Sequence, residues 1–136
     1  MEQKIIHDIT ILQTKSTLAT PKDIQIVNDL RDTFIANADK AAGLAANMIG
    51  QNKQIIVISF SQLPVIMINP QIISQSGAYE TQEGCLSLTG IRNTKRYQHI
   101  KVKYKDINFK DHTDTFDDFI AQVIQHEIDH CNGILI

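Results

Sequence analysis

The chain has 136 residues, of which 43% are hydrophobic and 21% charged, a composition typical of one ordinary globular domain. Its net charge of −2 and its lack of long basic runs argue against a nucleic-acid or membrane-surface binder. Two cysteines are too few for a disulfide framework, and no stretch reads as a signal peptide or a membrane span. We therefore expect a single domain over residues 1–136, cytoplasmic and with reduced thiols.

The first clear helix pattern lies in TPKDIQIVNDLRDTFIANA, residues 20–38. Thr20 suits the capping position and Pro21 suits the first helical position. Apolar residues then recur at near-helical spacing. We expect these residues to face the core: Ile24, Val27, Leu30 and Phe34.

The middle of the chain favours strands. Small residues fill the stretch 41–48, and two apolar runs, Ile55–Ser59 and Val65–Asn69, are typical of buried strands. The second run is bracketed by prolines, which we expect to end it. Alternation in YQHIKVKYKD, residues 97–106, predicts a half-exposed antiparallel strand. Its expected inward residues are Ile100, Val102 and Tyr104, and its outward residues are Lys101, Lys103 and Lys105.

A second helix is predicted within TDTFDDFIAQVIQHEIDHCNG, residues 113–133, with Asp114 or Thr115 as its cap and Gly133 as its stop. Two neighbouring faces should both be buried, one with Phe119, Val123, His126 and His130, the other with Ile120, Ile124 and Ile128. We predict an α+β fold in which mixed or antiparallel β-sheet packs around this C-terminal helix, with another helix near the N-terminus.

The pattern H-E-x-x-H on this helix indicates a metal site. His126 and His130 lie about 40° apart around the helix axis, so that both imidazoles can bind one ion. Glu127 can reach a water on that ion, whose pKa the metal lowers to about 7. A chance match on an exposed helix is the alternative, but a buried face disfavours it, because unpaired buried imidazoles are costly.

A catalytic site needs a third protein ligand. Only six residues follow His130 in this sequence, which disfavours a zinc endopeptidase with a downstream ligand. Upstream candidates are Cys85, His7, His99, His112 and the carboxylates. Cys85 stands in the glycine-containing stretch EGCLS, and a thiolate binds such metals strongly. The alternative for a lone cysteine is a small buried hydrophobic residue.

Three stretches together resemble the peptide deformylase family, whose motifs run G-x-G-x-A-A-x-Q, E-G-C-L-S and H-E-x-D-H. This chain has AAGLAANM at residues 41–48, EGCLS at 83–87 and HEIDH at 126–130, in the same order. The resemblance spans nearly the whole chain. It is strongest to a short, divergent deformylase-like branch of that family.

The resemblance implies a metal-dependent hydrolase that removes the formyl group from N-formylmethionyl peptides of nascent proteins and releases formate. One divalent ion, Fe(II) in the cell with Zn, Ni or Co as substitutes, would be held by Cys85, His126 and His130. Glu127 would be the general base and acid, and the Leu86 N–H would bind the oxyanion. No membrane or specific nucleic acid is expected as a partner, and transient contact with ribosomes is compatible with such a substrate.

The resemblance also implies how the peptide and the loop are held. Backbone around Gly43 and Gly84 would pair with the peptide like an added strand. Glu83 and Arg92 would support the loop around Cys85, with a charge-assisted pairing to Arg92 or Arg96. We add Val123, one helical turn before His126, as a wall of the methionine pocket.

Three positions depart from the family pattern. Met48 stands where the family has a glutamine that donates to the oxyanion, and methionine has no N–H to give. Gln51, three residues on, is a substitute amide to consider. Ala41 replaces a glycine, and Cys131 replaces a leucine. Two alternatives stay open: a deformylase-like hydrolase of another small amide, and a module that only binds peptide N-termini. Glu127 argues against the second, since binding needs no proton shuttle.

Overall fold

The computed structural model describes residues 1–136 and confirms the α+β class, with a helix near each end. Its three α-helices are α1 (Ile9–Leu12), α2 (Ile24–Ala36) and α3 (Asp118–Cys131). Its five strands are β1 (Gly43–Ala45), β2 (Ile55–Phe60), β3 (Leu63–Cys85), β4 (Leu88–Lys105) and β5 (Asp111–Asp117). They form one antiparallel sheet in chain order, which leaves β1 at an edge.

The start of α2 follows the predicted capping pattern. Thr20 N–H donates to Asp23 Oδ2 at 2.8 Å, and Pro21 opens a 3₁₀ turn that leads into the helix. Three of the four expected core residues are buried, but Ile24 is 45% exposed. Ile24 is the first residue of α2, and because helical side chains tilt toward the N-terminus, its side chain extends past the start of the helix instead of packing on a preceding turn.

The hairpin of β3 and β4 is longer than predicted. Pro70 does not end the strand at Asn69, because the register with β4 shifts between Ile68 and Gln71 and no ladder hydrogen bond is needed there. The ladder continues to a final pair of Cys85 with Leu88. The predicted alternation in β4 is confirmed, with its three inward residues buried. The EGCLS stretch therefore lies at the tip of the hairpin.

The helix α3 starts later than predicted. Asp114 and Thr115 do not cap it, because residues 111–117 pair with β4 as β5. Asp118 then has a φ of +56°, which turns the chain sharply into the helix. Phe119 consequently lies in the first turn and is 66% exposed, against our expectation of a buried position.

Further along α3, the core face is as expected. Ile124, Ile128, His126 and His130 are buried, and Val123 is half-buried. The helix packs against β1, β2, β4 and β5, with its apolar residues in one core cluster shared with α2 and the sheet. No helix combines the length and the apolar character that crossing a bilayer requires.

Gly133, the predicted stop of α3, has a φ of +73°. A Cβ at this position would overlap the backbone carbonyl of Gln13 and lie 2.8 Å from its carbon. We expect Gly133→Ala to lower the free energy of unfolding by about 2–4 kcal/mol, from backbone strain plus overlap. Urea unfolding measures this. Gly90→Ala is the matched control, because Gly90 has a φ of +82° but an open surrounding. Equal losses in the two variants would contradict the role of the contact.

Candidate active site

The tip of the β3–β4 hairpin meets the last two turns of α3. Cys85 Sγ lies 3.2 Å from His130 Nε2, and His126 Nε2 lies 3.3 Å from the same nitrogen. The possible ligand atoms of the three residues all fall within 4.8 Å of one another. The structure thus brings together the three predicted ligands, two from one helix and one from a loop some forty residues upstream.

The other histidines lie apart from this cluster. His7 Nδ1 donates to the Ser87 carbonyl at 2.8 Å, which ties the N-terminal segment to the hairpin tip. His99 pairs with Asp117, and His112 pairs with Asp106, both at the surface. None of the three joins the cluster of possible ligands.

Glu83 is the centre of a buried hydrogen-bond network. Its Oε1 accepts from His126 Nδ1 at 2.8 Å and from Arg96 Nη2 at 2.7 Å. Its Oε2 accepts from Arg96 Nε and from Gln122 Nε2, each at 2.9 Å. Burial alone would raise the pKa of Glu83, but these donors outweigh burial and lower it to about 2. An ionised Glu83 therefore fixes the His126 ring with its Nε2 turned to the cluster.

Of the two arginines proposed as partners of Glu83, Arg96 is the one in contact. Arg96 is buried and also binds Asp129 through Nη1 at 2.6 Å. Arg92 is opposite Glu83 in the β3–β4 ladder, but its half-exposed side chain donates to the Thr89 carbonyl at 3.1 Å. The pairing of Arg92 with Glu83 is therefore not formed, because the half-exposed Arg92 side chain donates to a carbonyl of the hairpin turn instead.

The two histidines of the cluster have opposite pKa shifts. Burial lowers the pKa of His126, but its contacts with Cys85 and Glu83 outweigh this and raise it to about 10. Burial, with the charges of His126 and Arg96, lowers the pKa of His130 to about 3. Without an ion, the cluster thus carries one positive charge, on His126. A bound cation would supply that positive charge instead.

Glu127 lies beside the cluster, 4% exposed, and its Oε1 is sealed from solvent without a hydrogen-bond partner. Burial is the main reason that its pKa is raised to about 7. Gly43 of β1 faces it closely: a Cβ there would lie 2.9 Å from Val123 Cγ1 and 3.1 Å from Glu127 Oε2. Only a glycine leaves this approach of strand and carboxylate undisturbed.

Because its pKa is raised, an ionised Glu127 lowers the stability of the folded metal-free protein at neutral pH. A folded pKa above the unfolded value contributes stability that is full below pH 4.5 and is lost as the pH rises through 7. We expect Glu127→Gln to stabilise the metal-free protein by about 3 kcal/mol at pH 8 and by less than about 1 kcal/mol at pH 5. Denaturant unfolding at both pH values measures this. An equal effect at both would contradict the shift.

A cavity of about 530 Å³ opens in front of Glu127 and Cys85. Its wall includes every predicted substrate residue as well as Met48 and the exposed Phe119 at one end. The residues lining it are Lys40, Ala41, Ala42, Gly43, Met48, Gln82, Glu83, Gly84, Cys85, Leu86, Phe119, Gln122, Val123, His126 and Glu127. The arrangement places a carboxylate, possible metal ligands and glycine backbone around one space.

Met48 lines this cavity but supplies no donor. It is 1% exposed, and its Sδ accepts from Ala45 N–H at 3.4 Å. Gln51, considered as a substitute amide, is exposed and does not line the cavity. Cys131 is buried away from the cavity, and burial raises the pKa of its thiol to about 12, which keeps it protonated and unreactive.

Sequence reasoning missed Gln122. It lies four residues before His126 on the same helix face, lines the cavity and donates to Glu83. Its only sequence signal is a polar residue on an otherwise apolar face. The contact of Asp129 with Arg96 was missed as well, since nothing local indicates a partner 33 residues away.

The chemistry of this cluster fits a divalent ion. One thiolate and two imidazoles are a donor set for Fe(II), Zn, Ni or Co. The His126 ring is held by a carboxylate, as ligating histidines usually are. The partnerless, sealed Glu127 Oε1 is a buried polar atom that calls for a neighbour, such as a water at the ion.

The chain is similar to known proteins along its whole length. A family model described as polypeptide deformylase matches residues 3–136. A peptide deformylase of Clostridium beijerinckii is 49% identical over 136 residues and covers 100% of both chains. Peptide deformylase 3 of Shewanella oneidensis is 38% identical over 119 residues, which cover 82% of this chain and 73% of that one.

Solved structures show the same similarity. A peptide deformylase from Synechococcus elongatus in complex with actinonin superposes with a TM-score of 0.87 and 32% identity, covering 98% of this chain and 75% of that chain. A peptide deformylase from Legionella pneumophila gives a TM-score of 0.88 and 31% identity, covering 99% and 83%.

Proposed function

This chain belongs to the polypeptide deformylase family, and from that premise we propose that it removes the formyl group from N-formylmethionyl peptides and releases formate. The observation that carries the proposal is the convergence of Cys85, His126 and His130 beside Glu127 at one cavity. The substrate is the N-terminus of a nascent protein, so the proposal includes the cytoplasm as its location and transient contact with ribosomes.

The three clustered side chains would hold one divalent ion, with Fe(II) as the proposed native metal. When bound, such an ion polarises a carbonyl oxygen and lowers the pKa of a water. Glu83 keeps the His126 ring oriented, and Arg96 keeps Glu83 in place. These supports leave the ligand nitrogens free to face the ion.

Glu127 is the proposed proton carrier. A carboxylate whose pKa lies near 7 takes a proton and returns it at neutral pH with little driving force lost in either direction. It would accept a proton from the attacking water and pass it to the leaving amine. The Leu86 N–H, next to Cys85, would donate to the oxygen that becomes negative on the formyl carbon.

The cavity would orient the peptide. The outer edge of β1 is unpaired, so peptide backbone can add beside Gly43, and Gly84 lines the same cavity. The first side chain would then enter the cavity against Val123. The structure of the relative from S. elongatus, in complex with actinonin, supports ligand binding at this fold.

The test is formate release from formyl-Met-Ala-Ser by protein purified without oxygen and loaded with Fe(II). We expect turnover by the loaded protein and none after the metal is removed by a chelator. A loaded, folded protein that releases no formate above the chelated control would refute the proposal. A protein that only binds peptide N-termini would release no formate even when loaded with metal, and it would have no need of Glu127.

Removing the thiolate should remove the metal. We expect Cys85→Ser to weaken Fe(II) or Zn binding by roughly 100-fold or more, because even changes beyond the direct ligands cost about 10–100-fold. Metal content and a chelator competition titration measure this. Cys131→Ser is the matched control, as Cys131 is buried outside the cluster. Unchanged affinity in Cys85→Ser would show that Cys85 is no ligand.

A further inference from the structure

Gln122 is a polar residue in the wall that would receive the first side chain of the substrate. It lies between Phe119 at the cavity rim and His126 at the cluster, and it is half-buried. Its neighbours on the wall include the apolar Val123 and the carboxylate of Glu83. An amide in this position bears directly on which side chains the cavity accepts.

The orientation of the Gln122 amide is fixed by Glu83. Both oxygens of Glu83 accept from the Arg96 guanidinium, so the carboxylate has no proton to give. The 2.9 Å contact between Gln122 and Glu83 Oε2 must therefore be made by the amide nitrogen. The amide oxygen has to point away from the carboxylate, because two acceptors facing each other would repel.

This orientation leaves one edge of the amide unused. Glu83 takes one N–H of Gln122, and neither Oε1 nor the second N–H forms a hydrogen bond within the protein. Oε1 is not among the sealed, unpartnered polar atoms of the structure. Because Gln122 lines the cavity, this free acceptor and donor are available to a ligand bound there.

A side chain that fills the cavity covers this edge. An aliphatic or thioether side chain offers no donor, so the Gln122 oxygen loses its water without replacement. A primary carboxamide offers a donor and an acceptor at the same spacing and can pair with the edge. A satisfied pair of this kind changes affinity by about tenfold relative to an apolar side chain of equal length.

We propose that Gln122 determines substrate specificity by pairing with a carboxamide, so that the protein also accepts formylated peptides whose first residue is glutamine. This inference rests on the proposed function of the same cavity. Glutamine and methionine have similar side-chain lengths, so the size of the cavity does not separate them.

The test compares kcat/KM for formyl-Gln-Ala-Ser and formyl-norleucyl-Ala-Ser, since norleucine is the apolar counterpart of equal length. We expect Gln122→Leu and Gln122→Met to lower the glutamine-to-norleucine ratio by about tenfold. Gln82→Leu is the control, because Gln82 lines the same cavity but is exposed and its amide stays in water. Its ratio should stay within about twofold of the parent.

A second measurement separates this inference from the proposed function. Calorimetric binding of the unformylated peptides Gln-Ala-Ser and norleucyl-Ala-Ser reports the same preference without turnover. A tenfold loss of the binding ratio in both Gln122 variants supports the inference even if no formate is released. Unchanged ratios in both variants, in kinetics or in binding alone, overturn it while leaving deformylation itself untouched.

Discussion

Glu127→Gln should lower kcat/KM for formate release by about 10²–10⁴-fold, the usual contribution of a positioned general base. Glutamine keeps the length of the side chain and its fit against Gly43, but its amide neither takes up nor gives up a proton as a base or acid at neutral pH. The effect should fall mainly on kcat, since the proton moves only during the reaction. Steady-state formate release at pH 7 measures it.

The control for this substitution is a measurement of the variant's metal content. Glu127 is not one of the three clustered ligands, so the variant should bind Fe(II) or Zn as the parent does. A variant with full metal content and full activity would exclude Glu127 as the proton carrier. A variant that has lost its metal would instead place Glu127 in the ligand set.

Met48→Gln should raise kcat/KM by up to about 10²–10³-fold, the effect of one donor to a developing oxyanion. Met48 already lines the cavity, and its Sδ accepts from the Ala45 N–H. In the variant, the glutamine oxygen can accept from Ala45, which leaves the amide N–H groups for the cavity. The resemblance to the family places a glutamine at this position.

Met48→Leu is the control that separates the effect of adding an amide from the effect of removing the thioether. Leucine also removes the sulfur acceptor, but it adds no donor, so its rate should not rise. If Met48→Gln stays folded and metal-loaded without any gain in rate, the argument that this position lacks an oxyanion donor is wrong. The Leu86 N–H would then suffice for this chain.

The candidate site was more predictable than the boundaries of the fold. The spacing of His126 and His130 is set by helical geometry alone. Thiolate chemistry favoured Cys85 among the upstream candidates, and the family resemblance implied the full ligand set. The three residues converge in the structure as this reasoning requires. Helical spacing and the chemistry of a side chain can both be read from a single sequence, which is why these ligands could be predicted.

Long-range pairing explains two of the predictions that were wrong. The acidic stretch before α3 looks like a helix start, but residues 111–117 gain hydrogen bonds to β4 that no local pattern reveals. Pro70 looks like a strand end, and a bulge accommodates it. The choice between Arg92 and Arg96 depends on which side chain of a twisted hairpin turns inward. The first two outcomes were decided by strand partners distant in sequence, and the choice of arginine by the position of Glu83 across the hairpin.

The network around Arg96 has a consequence for how the protein acquires its metal. Arg96 joins Glu83 on the hairpin to Asp129 on α3, and neither contact involves one of the three clustered residues. Glu83 also accepts from Gln122 of α3, and separating the loop from the helix would leave buried charge without its partners, so contacts that do not need the ion hold the two together. Folding and loading are then separate events, unlike those of small zinc modules that unfold without their ion. The metal bound to a given molecule would then depend on which divalent ions are available around it, and it could be exchanged after folding.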